Sequence, residues 1–153
     1  MLTNHPRKDP VASLRSDAGL ASALRVSLAR LNRRLRRQAG GHSLTPTQVA
    51  TLVAVEQHSG ITPGELAEHE KVQPPSMTRV IAALEERGLV SRTPHPSDRR
   101  QVTVSVTEQG SALLKEERRR KEAWLTQRLK ELTPEERAVL RQAAPILEKL
   151  SRN

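Results

Sequence analysis

Apolar residues recur near the start of the chain in helical steps. Leu20, Leu24, Leu28, Leu31 and Leu35 lie four, four, three and four residues apart, one stripe along a helix that begins at Ser16 or Asp17. Gly40 and Gly41 end it. Thr45, Pro46 and Gln48 then spell a helix start: a capping threonine, a proline at the first helical position and a glutamine to complete a capping box. Val49, Leu52, Val53 and Val55 carry that helix toward Gly60. Thr62, Pro63 and Glu65 repeat the signal for a short third helix that turns Leu66 inward. After a polar break at Glu70 to Gln73, Pro74 and Pro75 open a fourth, in which Met77, Ile81 and Leu84 share a face and Gly88 is the stop.

The period then changes. Val102, Val104 and Val106 alternate with Thr103, Ser105 and Thr107, the mark of a half-buried strand. Residues 89–93 supply its partner, and residues 94–100, rich in proline and charge, form a long basic tip between them. Thr107 caps a fifth helix running to about Glu131, and Thr133, Pro134 and Glu136 start a sixth. The pattern predicts a mainly α fold with one small β-hairpin. Residues 1–15, with Pro6 and Pro10 and no clear period, read as a flexible leader. Residues 42–107 form a head of short helices and hairpin, and residues 16–41 and 108–153 a helical region around it.

Composition narrows the core. Of 153 residues, 35% are hydrophobic, with one Trp and no Phe or Tyr, so the interior must be aliphatic, which suits packed helices. The absence of cysteine excludes disulfides, a thiolate sensor and thiolate metal sites. The histidines His5, His42, His58, His69 and His95 are scattered without metal-site spacing, so no metal and no cofactor is expected. The longest apolar run, Val49 to Val55 with Thr51 inside it, is far too short to span a bilayer. The N-terminus lacks a hydrophobic signal core, so no membrane association and a cytoplasmic location are expected.

Charge points to a partner. The formal net charge is +9, an excess that favours a polyanion. It is uneven: residues 1–40 carry nine basic and two acidic side chains, whereas residues 41–88 carry three and six. Binding in that middle segment must use placed residues rather than a general field.

A helix, a turn, a second helix and then a basic-tipped hairpin is the order of a winged helix-turn-helix, whose second helix enters the DNA major groove. With Met77, Ile81 and Leu84 inward, Pro75, Arg79, Ala82 and Glu86 point away and Ser76 and Thr78 lie on the flanks. Arg79 can bond guanine through two parallel hydrogen bonds, and Ser76 and Thr78 can bond bases or phosphate. The start of the helix is also expected to attract a phosphate. The plainer alternative is that Ser76 caps the helix and Arg79 is solvated.

Residues 95–110, His-Pro-Ser-Asp-Arg-Arg-Gln-Val-Thr-Val-Ser-Val-Thr-Glu-Gln-Gly, with Glu-Arg-Gly-Leu-Val-Ser-Arg at 86–92, closely resemble the wing of MarR-family regulators. Val-Gln-Pro-Pro-Ser-Met-Thr-Arg at 72–79 is similar to that family's recognition-helix opening, and weaker likeness runs from about Leu20 to Leu150. The resemblance implies a sequence-specific regulator of transcription, a repressor, acting as a homodimer on near-palindromic double-stranded DNA. It assigns Gln73, Pro75, Ser76, Thr78 and Arg79 to the recognition helix and Asp98, Arg99 and Arg100 to the wing. The wing arginine would enter the minor groove while the acid shapes the tip; alternatively, Asp98 simply pairs with Arg100. Leu20, Leu24, Ile146, Leu147 and Leu150 would meet a second copy. Many members respond to small aromatic acids. This chain departs from the redox-sensing branch in having no cysteine, and it has almost no aromatic side chains to stack such an effector.

Other charged features read as surface. Arg33, Arg34, Arg36 and Arg37 form either a solvated helix end or a phosphate contact. Arg118 to Lys121, interleaved with Glu116, Glu117 and Glu122, read as a salt-bridged solvent face. Trp124, at helical spacing from Leu125 and Leu129, fits core or interface better than a ligand pocket. No nucleophile with a nearby base and no phosphate-binding glycine loop is present, so an enzyme is not expected. A protein-interaction module and a non-specific chromosome-packaging protein are the competing functions.

Overall fold

The computed structural model describes residues 14–38, 40–98 and 100–152. Its elements are α1 (Asp17–Gln38), α2 (Pro46–Gln57), α3 (Pro63–His69), α4 (Pro74–Glu86), β1 (Val90–Pro94), β2 (Val102–Val106), α5 (Glu108–Lys130) and α6 (Pro134–Ser151). Most of the expected leader and Arg99 lie outside the described residues. Reciprocal capping boxes set three of the helix starts. The hydroxyls of Thr45, Thr62 and Thr133 accept the amides of Gln48, Glu65 and Glu136 at 3.2–3.3 Å. The Gln48, Glu65 and Glu136 side chains in turn accept the threonine amides at 2.8–2.9 Å. Each reciprocal pair satisfies two otherwise orphaned donors, and losing the threonine oxygen costs about 1 kcal/mol.

The strands pair antiparallel with Val90 opposite Val106 and Pro94 opposite Val102, so the ladder reaches one residue further toward the tip than the sequence suggests. Proline is tolerated there because β1 is an edge strand. On the other side of β2, Ile61 adds a bridge: the Val104 amide donates to its carbonyl at 2.8 Å. The core collects one face of each element. Leu52, Val55, Leu66, Met77, Ile81, Leu84 and Val104 are all at most 1% exposed, with Leu89, Val90 and Leu114 close behind. Each such aliphatic burial contributes about 1.5–3 kcal/mol. Thr51, the break in the longest apolar run, is also fully buried and donates its hydroxyl to the Met77 sulfur at 3.9 Å.

Two left-handed residues end helices in the same way. After α4, Gly88 (φ 69°) lets the Leu89 amide return to the Leu84 carbonyl at 3.0 Å. After α3 the left-handed position is held by Lys71 (φ 52°), with the Val72 amide returning to the Ala67 carbonyl at 2.9 Å. Glycine takes that conformation freely, whereas a residue with a Cβ is disfavoured by roughly 1 kcal/mol.

The chain divides into two compact units, one drawn from its two terminal segments with boundaries at Gln38 and Trp124, the other Ala39–Ala123. In the terminal unit neither α1 nor α6 has a single buried residue. Leu20, Leu28, Leu140, Val139, Ile146 and Leu150 are exposed, the last two at 61%. Leu24 and Leu147 are half-buried. Arg128 lies over the Trp124 ring at 5.6 Å from its centre.

The charged stretch of α5 is only partly the solvent face read from the sequence. Glu116 fits that description, pairing with Arg119 at 2.8 Å and Arg120 at 2.9 Å. Those guanidinium groups, Arg119 first, hold its carboxyl down at about 2. Glu117, by contrast, is 5% exposed and takes His42 Nε2 at 3.1 Å and the Lys121 ammonium. Arg118 reaches across to Glu56 of α2 at 2.7 Å, where Ser111 also donates at 3.0 Å. Helical spacing alone cannot reveal the contacts with His42 and Glu56, because those residues lie outside α5.

Candidate nucleic-acid interface

The arrangement at α4 begins with two prolines. Gln73 is the N-cap, but its side chain makes no capping bond, and Pro74 and Pro75 have no amide hydrogen to offer. Ser76 does have one, and it donates to the Gln73 carbonyl at 2.9 Å. The first turn therefore offers fewer free N–H groups than an ordinary helix start, the Gln73 amide being the one left without an acceptor among the described residues. Ser76 is not the cap either; among the described residues its hydroxyl has no partner, and its side chain is exposed.

Met77, Ile81 and Leu84 are buried at 0–1% exposure, which turns the opposite face outward. Gln73, Pro75, Ser76, Thr78 and Arg79 are all exposed and adjacent on one surface. Ala82, read as pointing away, is half-buried. Thr78 differs from the expectation in one respect. Its hydroxyl donates to the Pro74 carbonyl at 3.0 Å, so it faces outward with its methyl group and an acceptor lone pair rather than a free donor. Arg79 has no ion-pair partner among the described residues, whereas Arg92 of β1 is engaged with Glu85 at 3.3 Å. Arg79 is thus a cation without a described counter-ion on the outward side of α4.

The hairpin stands beside α4, which packs on β1. Its tip is organised by local bonds. The amides of Ser97 and Asp98 both donate to His95 Nδ1 at 3.3 Å, and the Gln101 amide donates to the Asp98 carbonyl at 3.0 Å. The Asp98 carboxylate accepts the Arg100 amide at 3.0 Å. No ion pair links Asp98 to the Arg100 guanidinium, so the local pairing weighed from the sequence is replaced by a side chain to backbone bond that leaves Arg100 exposed. His95 as an organiser of the tip went unread in the sequence. A histidine three residues before Asp98 was the available signal.

The charge on this face is placed rather than general, since residues 41–88 carry more acidic than basic side chains. Lys71, Arg79 and Arg100 are exposed on this unit without described carboxylate partners. Among the described residues no group of three or more histidine or acidic side chains could hold a metal. No described helix is long and apolar enough to cross a membrane.

Comparison with known proteins agrees with this geometry. The model of the MarR family matches residues 44–102, which hold α2 to α4, β1 and the wing tip. An HTH-type transcriptional regulator of Mycobacterium bovis is 46% identical over 134 residues, 88% of this chain and 94% of that protein. The HTH-type transcriptional repressor MdtR of Bacillus subtilis is 32% identical over 108 residues, 71% of this chain and 68% of its own length. Among solved structures, a transcriptional regulator protein of Pseudomonas aeruginosa superposes with a TM-score of 0.82 at 32% identity, covering 90% of this chain and 96% of that one. The family is one of regulators, not of enzymes. With its helix-turn-helix, its antiparallel wing and these relatives, the chain belongs to the MarR family of DNA-binding transcriptional regulators.

Proposed function

We propose that the protein is a homodimeric repressor that reads a near-palindromic duplex, with α4 in the major groove and the 95–101 wing tip in the adjacent minor groove. The observation that carries this reading is the outward face of α4. Gln73, Ser76, Thr78 and Arg79 stand exposed together over a fully buried Met77, Ile81 and Leu84. A helix so anchored presents its N-terminal side chains to base edges. Arg79 donates to guanine O6 and N7, Thr78 offers its methyl to thymine, and Arg100 enters the minor groove, where negative potential concentrates. Gln73, Pro75 and Ser76 shape and contact the groove at the helix start. Arg99 is assigned to the wing with Asp98 and Arg100 on the resemblance.

Dimerisation is supported by the two terminal helices. An α1 and an α6 without any buried residue, bearing Leu20, Ile146 and Leu150 in the open, lack a core of their own. We assign residues 16–41 and 108–153 to the dimer region, with Leu24 and Leu147 in its interface, and residues 42–107 to DNA. Two-fold symmetry then sets the half-sites about 34–36 Å apart. Repression follows the relative named as a repressor, at 32% identity, and the cytoplasm is where such a protein meets its DNA. A small aromatic effector would act on this binding. The cavity lined by Gly41, His42, Leu113 and Glu117 holds about 90 Å³, against roughly 300–1,000 Å³ for drug-sized ligands. An effector of that size needs another space.

Selection of preferred duplexes from a random pool, with the mass of the complex measured in solution, tests the reading. The expected result is an inverted repeat bound by two chains. A selected pool without sequence preference, or a single chain per duplex, contradicts it.

A further inference from the structure

The turn between α3 and α4 carries two observations that belong together. Lys71 sits in the left-handed region at φ 52°, exposed, in the same helix-ending bond pattern that Gly88 completes after α4 with no side chain at all. No described residue pairs with its ammonium; its acidic neighbour Glu70 is engaged with His69 at 3.1 Å. A glycine would end α3 more easily, so the position keeps a side chain at some cost in the backbone.

The second observation is the donor-poor start of α4. Helices that enter a groove by their N-terminus ordinarily hold a rim phosphate with first-turn amides. Pro74 and Pro75 have none, and the Ser76 amide is committed to the Gln73 carbonyl, which leaves the Gln73 amide alone there without an acceptor among the described residues. We propose that Lys71 makes up for this shortage of donors, its ammonium binding a DNA backbone phosphate at the edge of the major groove beside the start of α4. Lysine suits this role, because a point charge with three donors on a flexible four-carbon stem reaches phosphate without demanding one geometry. The position is two residues before the N-cap Gln73, where the chain crosses from the supporting helix to the reading helix. The assignment rests on α4 being the groove helix.

Four proteins compared on a mixed-sequence duplex and on a selected duplex, over a range of potassium chloride, test it: wild type, Lys71→Gly, Lys71→Arg and Arg79→Ala. Lys71→Gly should melt a few degrees higher, since its backbone strain is relieved. It should also bind both duplexes several-fold more weakly, with unchanged base preference. The slope of log affinity against log salt should flatten by about one per subunit, and Lys71→Arg should restore it. Opposite movement of melting and binding is the signature. Unchanged affinity and slope in Lys71→Gly overturn the proposal, and so does a fall in melting temperature alongside the fall in binding, which would make Lys71 structural. Arg79→Ala weakening while Lys71→Gly is silent sinks Lys71 alone. Wild type failing to bind either duplex in a salt-dependent way sinks the groove reading and Lys71 with it.

Discussion

The carboxylate of Asp98 accepts the backbone amide of Arg100 at 3.0 Å, and this bond, rather than an ion pair between the two side chains, closes the wing tip. The acid shapes the turn and leaves the guanidinium unengaged by any described carboxylate. Asp98→Ala should therefore loosen the tip and weaken DNA binding by about 1 kcal/mol, roughly fivefold. Its melting temperature should stay within about 1 °C, because the tip lies outside the core. Asp98→Asn, which keeps an acceptor oxygen, should retain most of the affinity. Fluorescence anisotropy with a labelled duplex and a thermal melt give both quantities.

Much of this was legible because it is local. The Thr-Pro-x-Gln and Thr-Pro-x-Glu starts at Thr45, Thr62 and Thr133 formed as capping boxes, since every partner lies within three residues. The alternation of Val102, Val104 and Val106 became β2, although only Val104 is fully buried. The outward side chains of α4 followed from the spacing of Met77, Ile81 and Leu84. What escaped depends on the tertiary arrangement or on backbone angles. His42 and Glu117 are 75 residues apart, and Ser111 and Arg118 reach Glu56 across 55 and 62. The left-handed Lys71 carries no glycine to announce it. The donor-poor start of α4 could have been read from Pro74 and Pro75, which take two amides away from the helix end.

Glu117 is the acid to remove as a test of the missed network. Leu44 donates its amide to His42 Nδ1 at 3.3 Å, so a neutral His42 ring turns a protonated Nε2 toward Glu117. Glu117→Ala would leave that group and Lys121 without their acceptor and open space beneath α5. The expected loss is about 2 kcal/mol, below the value for a fully buried pair because Lys121 is 31% exposed. Glu117→Gln should lose less. Urea unfolding curves measure both, and a loss of less than about 0.5 kcal/mol in Glu117→Ala would show the network to be incidental.

Gly110 offers a sharper test of the packing between wing and helix. A Cβ there would stand 2.2 Å from the Leu89 carbonyl oxygen and 2.9 Å from a Val106 methyl group. The backbone oxygen cannot step aside, because the Thr107 amide donates to it at 3.1 Å. Gly110→Ala should destabilise by about 2 kcal/mol or more despite alanine's better helix propensity. A thermal melt that matches wild type would contradict this geometry.

Acid should act through Glu56. The Arg118 guanidinium, first among the causes, and the Ser111 hydroxyl hold its carboxyl below the ordinary value of 4.5, against the opposing effect of burial. A depressed folded value means that the bridge stabilises above the unfolded carboxylate value and is lost as pH falls through the folded one. Glu56→Gln should thus melt below wild type at neutral pH, with the difference shrinking as the pH drops beneath 4.5. Melts across that range check it; a gap that stays constant or widens in acid would contradict the assignment.

The most direct measurement is the affinity of wild type and Arg79→Ala for a selected duplex and for versions substituted one base pair at a time. Wild type should lose about 1–3 kcal/mol, roughly fivefold to a hundredfold, when the contacted guanine of one half-site is replaced. Arg79→Ala should bind the parent duplex more weakly and no longer distinguish that base pair. Should Arg79→Ala keep both the affinity and the base preference of wild type, the outward face of α4 is not what reads the DNA.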